Sequence, residues 1–229
     1  QTKVMTIRDL ATHTSGIAYD FTANKALAKI YRENELSPYF TINTPTKETL
    51  VSGMISSEKT YKDICSFAEA LASKAPLMHQ PSERYTYSMG MDVLGCIIER
   101  VSGVKFDEFL NTRIFKPLNM QDTFFSVPES KRDRFTTLYA EVKDLKTYMP
   151  DMGDSIPDDL TMLRVDGKQN SAYFKEATLF DGGSGLVSST EDYLKFAQML
   201  LNGGKLGDQR ILSRKSVELM SGNHLPDTF

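Results

Sequence analysis

The chain has 229 residues, with 27 Lys and Arg against 30 Asp and Glu, a net charge of −3 and 40% hydrophobic residues. A chain of this length can bury a real core, and its composition is that of an ordinary globular protein without the basic surplus of nucleic-acid-binding proteins. Its apolar stretches are short and broken by charges, whereas a membrane-spanning helix needs about 20 apolar residues. The sequence therefore predicts neither nucleic-acid binding nor a membrane span.

Helix signals dominate the first half of the chain. Thr6 and Asp9 form a capping-box-like pattern, and Ser15-Gly16 follows the end of the short helix that this pattern predicts. Apolar positions that recur every three or four residues predict the next helices, and Gly103 and Pro117 mark the ends of the last two. The predicted helices are Thr6 to about His13, Lys25 to Glu33, Lys47 to Ile55, Lys62 to Ser73, one through Val93 to Val101, and one from Phe106.

Beyond Thr123 the helical periodicity weakens, and turn-prone residues separate short β-prone runs. These runs predict strands at Phe124–Val127, Thr136–Val142 and Ala172–Lys175.

The last part of the chain returns to helix. Ser188 or Ser189 caps an apolar-periodic helix that Gly203-Gly204 ends, and a final helix is predicted at about Ser213 to Ser221. No repeat, low-complexity segment or linker divides the chain. The sequence thus predicts one domain, residues 1–229, that is mainly α with a few short β-strands.

Two cysteines, Cys65 and Cys96, are too few for a disulfide framework. Each lies on an apolar-periodic stretch, which favours a buried thiol and leaves the compartment open.

Four stretches occur in an order and at a spacing that are specific when taken together. Together they resemble the β-lactamase-related serine hydrolases, of the class C and penicillin-binding-protein-related esterase type. The stretches are TIRDLATHTSGI at 6–17, PSERYTYSMGMDVLGCIIERVSG at 81–103, FKPLNMQDTFFSVP at 115–128 and GGSGLVSSTEDYLKFAQMLLNGGK at 182–205.

The resemblance implies a fold in which an α/β domain is paired with a helical domain. The matching span would be chiefly the helical domain, truncated and lacking most of the central sheet. The family's Ser-x-x-Lys nucleophile motif would precede the LATHTSG-like stretch, and its Lys-Thr-Gly or His-x-Gly strand would follow Leu225-Pro226-Asp227. We therefore expect both motifs to lie outside these 229 residues, in a longer protein from which the segment beginning at Gln1 is excised.

Tyr87 matches the catalytic tyrosine of the family. A free phenol titrates near pH 10, so it acts as a base only where a neighbouring cation stabilises the phenolate. In the family that cation is the lysine of Ser-x-x-Lys, and the phenolate takes the serine proton as the hydroxyl attacks a carbonyl carbon. Without the resemblance, Tyr87 would be interpreted as a half-buried aromatic residue before a helix, like Tyr85.

The two residues after Tyr87 are the predicted substrate-binding residues, Ser88 and Met89. Family members with a Tyr-x-Asn motif present an amide to the substrate at the position of Met89. A methionine has no hydrogen-bond donor, which favours the esterase-like branch over penicillin recognition. Packing of Met89 at the start of a helix is the alternative.

Two other serines fit catalytic patterns in part. Ser56-Ser57-Glu58-Lys59 matches Ser-x-x-Lys literally, but it follows the LATHTSG-like stretch and falls at the polar end of a predicted helix. Ser184 lies in Gly182-Gly183-Ser184-Gly185, where a nucleophile elbow would need a glycine at position 186 in place of leucine. We expect a solvated helix end at Ser56, and at Ser184 a structural turn whose glycines adopt backbone angles closed to other residues.

No metal site or cofactor is expected. His13, His79 and His224 lack metal-ligand spacing, and His13 is expected to hold its own turn by local hydrogen bonds. The acidic residues Asp151, Asp154, Asp158 and Asp159 do not form an EF-hand and are expected to be solvated.

The functional expectation follows from the resemblance. The parent protein is predicted to be a serine hydrolase that acts on a small-molecule ester, amide or β-lactam through an acyl-enzyme. The 229-residue fragment itself is predicted to be inactive. The alternative is a non-catalytic pseudoenzyme or a helical binding module derived from the same fold.

Overall fold

The computed structural model describes residues 3–36, 61–144, 161–166 and 171–225, and within these ranges the chain is mainly helical. A π-helix, Asn111–Phe115, continues directly from the fifth α-helix, and two 3₁₀ helices occupy Glu129–Arg134 and Ala172–Phe174. The α-helices are α1 (Ile7–Ala11), α2 (Lys25–Glu33), α3 (Ile64–Lys74), α4 (Gly90–Ser102), α5 (Phe106–Leu110), α6 (Thr190–Leu201) and α7 (Arg214–Met220).

Within the described residues, four short strands form two antiparallel pairs. The first pair joins β1 (Leu138–Glu141) to β2 (Met162–Asp166), and the second joins β3 (Lys205–Leu206) to β4 (Gln209–Arg210). None of the described helices is long and apolar enough to cross a bilayer.

Side-chain caps explain where several of the helices begin, although α4 and α5 start without one. Thr6 and Asp9 form a full capping box at α1, and Asp63 and Ser66 form another at α3. Ser189 Oγ accepts the backbone N–H of Asp192 at the start of α6. Each cap satisfies backbone donors that a helix leaves unpaired in its first turn. At the C-terminal end of α4, Gly103 adopts the left-handed conformation with a φ of 74°.

The main core lies between α1, α2, α3 and α4. It contains Leu10, Phe67, Met89 and Cys96, all buried. Cys65 and Cys96 form a disulfide bond between α3 and α4. The expectation of two buried thiols was therefore wrong, because separate helical periodicities do not reveal that the two sulfur atoms face each other.

A second core packs α6 against the end of the π-helix through Phe115, Leu118, Met120 and Met199. The buried carboxylate of Asp192 ties the same parts together, since it accepts the N–H of Asp122 at 2.6 Å and the hydroxyl of Thr123 at 3.1 Å. Apolar packing and a satisfied buried carboxylate thus hold α6 in place.

The predicted helices within the described ranges are confirmed to within a few residues, and the chain remains helical from Phe106 to Phe115 before Pro117. The predicted helix Lys47 to Ile55 lies outside these ranges. Loss of most of the central sheet, and the single truncated domain 1–229, remain predictions.

The strand predictions had mixed outcomes. The run Thr136–Val142 contains β1, whereas Phe124–Val127 contributes only one bridge, from Phe124 to Val187. Ala172–Lys175 was wrongly predicted as a strand, and Ala172–Phe174 is a 3₁₀ helix. Ser171 starts it, because Ser171 Oγ accepts the N–H of Tyr173 and the Ser171 carbonyl accepts that of Phe174.

Candidate active site around Tyr87

The loop after α1 pairs with the segment that leads into α4. The carbonyl of His13 accepts the N–H of Thr86 at 2.8 Å, and the carbonyl of Thr14 accepts that of Ser82 at 2.8 Å. Asp9 reinforces this pairing by accepting the Ser82 hydroxyl at 2.6 Å. Burial alone would raise the pKa of Asp9, but its hydrogen bonds, that from Ser82 first, lower it overall. The paired loops place His13 beside Tyr87.

Tyr87 stands just before α4 with 46% of its surface exposed. Its ring packs on the rings of His13 and Tyr19, with centroids 4.8 and 5.0 Å away. Its carbonyl accepts the hydroxyl of Thr22 at 2.9 Å. The backbone and the ring are therefore held in place while nearly half of the residue surface stays exposed to solvent. Catalysis by Tyr87 remains a prediction.

Ser88 is fully buried and contacts His13. The N–H of Ser88 donates to His13 Nδ1 at 3.2 Å, and the Ser88 hydroxyl lies 3.2 Å from the same nitrogen. Burial lowers the pKa of His13, which favours the neutral ring that can accept this N–H. The expected local hydrogen bond is made by the backbone N–H of His13 to the Leu10 carbonyl, whereas the side chain bonds to a residue 75 positions away.

Met89 is also buried, with 1% of its surface exposed, and it belongs to the main core. Its burial favours the packing alternative. The assignment of Ser88 and Met89 as substrate-binding residues stays a prediction, and both side chains lie beneath the surface rather than on it.

Tyr19 packs against the ring of Tyr87. It is 3% exposed, and its hydroxyl hydrogen-bonds to the Tyr87 side chain. Burial, and next to it the neighbouring Asp92 carboxyl group, raise the pKa of Tyr19, so its phenol remains neutral. The neutral Tyr19 hydroxyl can therefore donate a hydrogen bond to the Tyr87 side chain from a fixed position.

Two buried carboxyl groups lie deeper, Asp92 on α4 and Asp181 before the glycine-rich turn. Asp92 Oδ1 accepts the N–H of Gly183 at 3.1 Å, and Asp181 Oδ1 accepts that of Ser184 at 2.6 Å. Burial raises the pKa of both groups, and the charge of Asp181 raises that of Asp92 further. The sequence analysis did not identify this pair. An aspartate inside an apolar helix and an aspartate just before two glycines are the signals that could have revealed it.

The glycines of the glycine-rich turn are needed for a different reason from the one expected. Gly182 and Gly183 are not among the glycines with positive φ. Instead, a Cβ atom on Gly182 would lie 2.3 Å from the carbonyl oxygen of Met91, and one on Gly183 would lie 2.9 Å from the Tyr19 hydroxyl. The turn needs glycine for close approach to α4 and Tyr19. Ser184 bonds to Asp181, which supports a structural role for this serine.

The other candidates gave no further site within the described part of the chain. Ser56-Ser57-Glu58-Lys59 and the four aspartates between residues 151 and 159 lie outside it. Among the residues that the structure describes, no group of three or more His, Cys, Asp or Glu side chains could hold a metal ion.

Comparison with known proteins identifies the family of this chain. The model of the β-lactamase family matches residues 1–229. An uncharacterized protein of Mycobacterium tuberculosis is 28% identical over 98% of the chain, which covers 46% of that relative.

Solved structures share the fold. EstCE1, described as a hydrolase with promiscuous acyltransferase activity, matches with a TM-score of 0.62 and 19% identity over 94% of the chain and 50% of its own length. The LovD6 mutant of simvastatin synthase from Aspergillus terreus matches with a TM-score of 0.59 and 22% identity over 100% of the chain and 42% of its own. The chain thus spans about half the length of the relatives that it matches. The family resemblance is confirmed: the chain belongs to the β-lactamase family.

Proposed function

We propose that the protein containing these 229 residues is a serine hydrolase in which Tyr87 is the general base. The observation that carries this proposal is the placement of Tyr87, which is nearly half exposed while its ring is held by His13 and Tyr19. In the proposed reaction the Tyr87 phenolate takes the proton of the nucleophilic serine as the serine oxygen bonds to the substrate carbonyl carbon. The leaving group departs, and water then cleaves the acyl-enzyme.

The substrate class is a small-molecule ester, amide or β-lactam, with esters favoured. Met89 supports this preference, because methionine at this position offers no amide to a penicillin-like side chain. EstCE1, a structural neighbour, is named as a hydrolase with acyltransferase activity, which fits an acyl-enzyme that can pass its acyl group to water or to another acceptor.

The proposal assigns the nucleophilic serine and its lysine to sequence beyond these 229 residues. The chain alone is then inactive, because Tyr87 has neither the nucleophile nor the cation that would stabilise its phenolate. The match to only about half of each relative supports this division, as does the expectation that the chain is chiefly the family's helical domain.

The test compares the 229-residue chain with a version extended at both ends, using p-nitrophenyl butyrate and nitrocefin. The extended protein should hydrolyse the ester, and Tyr87→Phe should lower its kcat about 10²-fold or more, as expected for loss of a general base. Tyr85→Phe is the matched control, because Tyr85 is 48% exposed and also contacts His13.

Three outcomes would contradict parts of the proposal. Equal loss of activity in the Tyr85 and Tyr87 variants would remove the specific role of Tyr87. Turnover by the 229-residue chain that disappears in Ser56→Ala would place the nucleophile at Ser56. A folded extended protein that is inactive on both substrates would favour the pseudoenzyme or binding module.

A further inference from the structure

Asp92 has a buried oxygen atom that the fold leaves unpaired. Its side chain is fully buried, and Oδ1 accepts the N–H of Gly183. Within the described ranges, Oδ2 has no hydrogen-bond partner. A buried carboxylate oxygen without a donor costs free energy, and a carboxyl group in such a site tends to keep its proton.

The proton belongs on Asp92 rather than on its neighbour Asp181. Asp181 accepts both the N–H of Ser184 at 2.6 Å and the Ser184 hydroxyl at 3.2 Å. The N–H groups of neighbouring glycines stabilise the charges of both carboxyl groups, so the additional Ser184 hydroxyl favours the charge on Asp181. Two buried carboxylates close together do not both ionise readily, so the better-solvated one carries the charge. Asp92 is then a neutral acid with an O–H to donate.

The Tyr19 hydroxyl is the candidate acceptor for this O–H. A Cβ atom built on Gly183 would lie 2.9 Å from the Tyr19 oxygen and 3.2 Å from Asp92 Oδ2. Both oxygen atoms therefore border the same small space, which Gly183 leaves open. A rotation of the Asp92 side chain, or one bridging water molecule, would join the Oδ2–H to Tyr19.

We propose that Asp92 and Tyr19 are positioning residues for Tyr87 and direct a chain of donated hydrogen bonds toward its phenolic oxygen. Neutral Asp92 donates to the Tyr19 oxygen, and the single Tyr19 proton is thereby left for Tyr87. The inference rests on the proposed role of Tyr87 as a base, because a donor aimed at its oxygen stabilises phenolate over phenol.

The direction of this chain depends on the protonation of Asp92. Once Asp92 ionises, its carboxylate accepts a hydrogen bond from the Tyr19 hydroxyl, and Tyr19 then presents only an acceptor to Tyr87. The phenolate then loses its donor. Three titratable groups face this series of hydrogen bonds. They are Asp181 beside Asp92, Tyr173 beside Asp181, and His13, whose ring lies against Tyr87.

The test uses the extended protein and measures kcat/KM for p-nitrophenyl butyrate from pH 5 to 10. Tyr19→Phe should lower kcat/KM at least tenfold at pH 6.5. Asp92→Asn keeps a neutral donor, so its activity there should stay within about threefold of wild type. Asp92→Val keeps the approximate volume but has no donor, and it should lose activity about as much as Tyr19→Phe.

The pH profile separates a directed chain from mere packing. Wild type should show a decline in kcat/KM on the alkaline side as Asp92 ionises, and this decline should be absent in Asp92→Asn. It should also be absent from the residual activity of Tyr19→Phe, which gives a second measurement if an Asp92 variant fails to fold. The same alkaline decline in wild type and in the folded variants would overturn the proposal.

The Tyr87→Phe variant distinguishes the two levels of inference. If it is active, the proposed function fails, whatever Asp92 does. If it is inactive while Asp92→Asn titrates like wild type, Tyr87 remains the base and only the positioning chain is wrong.

Discussion

Cys65 on α3 and Cys96 on α4 are joined by a disulfide bond, with Cα atoms 4.8 Å apart. The bond closes a loop between residues 31 positions apart in the sequence, and that loop includes the segment that carries Tyr87. It therefore fixes α4, at whose start the candidate site lies, to α3, which shares the main core with it.

We expect reduction of this disulfide to lower the free energy of unfolding by about 2–4 kcal/mol, as for other loops of similar size. Urea unfolding of the 229-residue chain with and without a reductant measures the difference. A Cys65→Ser/Cys96→Ser double variant is the control and should be insensitive to reductant. Two free thiols in the denatured, unreduced wild type would contradict the assignment.

The Ser88 hydroxyl should contribute to stability through His13 and the start of α4. It lies 3.2 Å from His13 Nδ1 and accepts the N–H of Gly90 at 3.2 Å. Ser88→Ala leaves these buried groups with fewer partners and should cost about 1–3 kcal/mol in chemical denaturation. Ser73→Ala removes an exposed hydroxyl on α3 and should stay within about 0.5 kcal/mol of wild type. Equal costs would show that Ser88 is not specifically coupled to His13.

Local signals in the sequence were sufficient for the helices. Thr6, Asp63 and Ser189 cap helices through neighbours three residues away, so the pattern and the contact lie in the same short segment. The same holds for Gly103, whose left-handed conformation ends α4. These features depend on contacts between residues only three or four positions apart, so a short stretch of sequence is enough to predict them.

The parts of the candidate site that were not predicted depend on contacts between distant segments. Asp92 and Gly183 are 91 residues apart, and His13 and Ser88 are 75 apart. The sequence around each of these residues does not reveal its distant partner. Each residue also fits a local pattern of its own: Asp92 is a helix position, Gly183 a turn glycine and His13 a loop histidine. The family resemblance placed Tyr87, but Tyr19 and the carboxyl pair beneath it required the packing of α4 against the glycine-rich turn.

Gly16 should be far more sensitive to substitution than a glycine with a similar backbone conformation. Gly16 and Gly103 have φ angles of 84° and 74°. A Cβ atom on Gly16 would lie 2.1 Å from the His79 carbonyl oxygen, whereas one on Gly103 would meet nothing within 4 Å.

Gly103→Ala should therefore cost only the left-handed strain of about 1–2 kcal/mol. Gly16→Ala adds a backbone clash and should cost at least about 3 kcal/mol or prevent folding. Thermal and urea unfolding of both variants give the comparison. Similar costs would mean that the loop holding His13 against Thr86 can move aside without loss.

The proton on Asp92 should also appear in the pH dependence of stability, without any measurement of activity. Burial and the charge of Asp181 raise the pKa of Asp92 from 3.8 to about 7. The unfolded chain releases this proton near pH 4, whereas the folded chain holds it until about pH 7. The folded state therefore binds more protons between these values, so this contribution to stability is greatest at low pH and is lost as the pH rises through about 7.

The loss between pH 4.5 and 8 should be about 3 kcal/mol, since one pKa unit corresponds to about 1.36 kcal/mol and most of the shift lies within this range. Asp92→Asn cannot release a proton, so its stability relative to wild type should rise between pH 4.5 and 8. Asp208→Asn changes an exposed carboxyl in the β3–β4 turn and should show no such trend. Urea unfolding of the three chains at both pH values measures this difference. A constant offset between Asp92→Asn and wild type would mean that Asp92 is already ionised in the folded protein, and the donor chain toward Tyr87 would then have no proton at its origin.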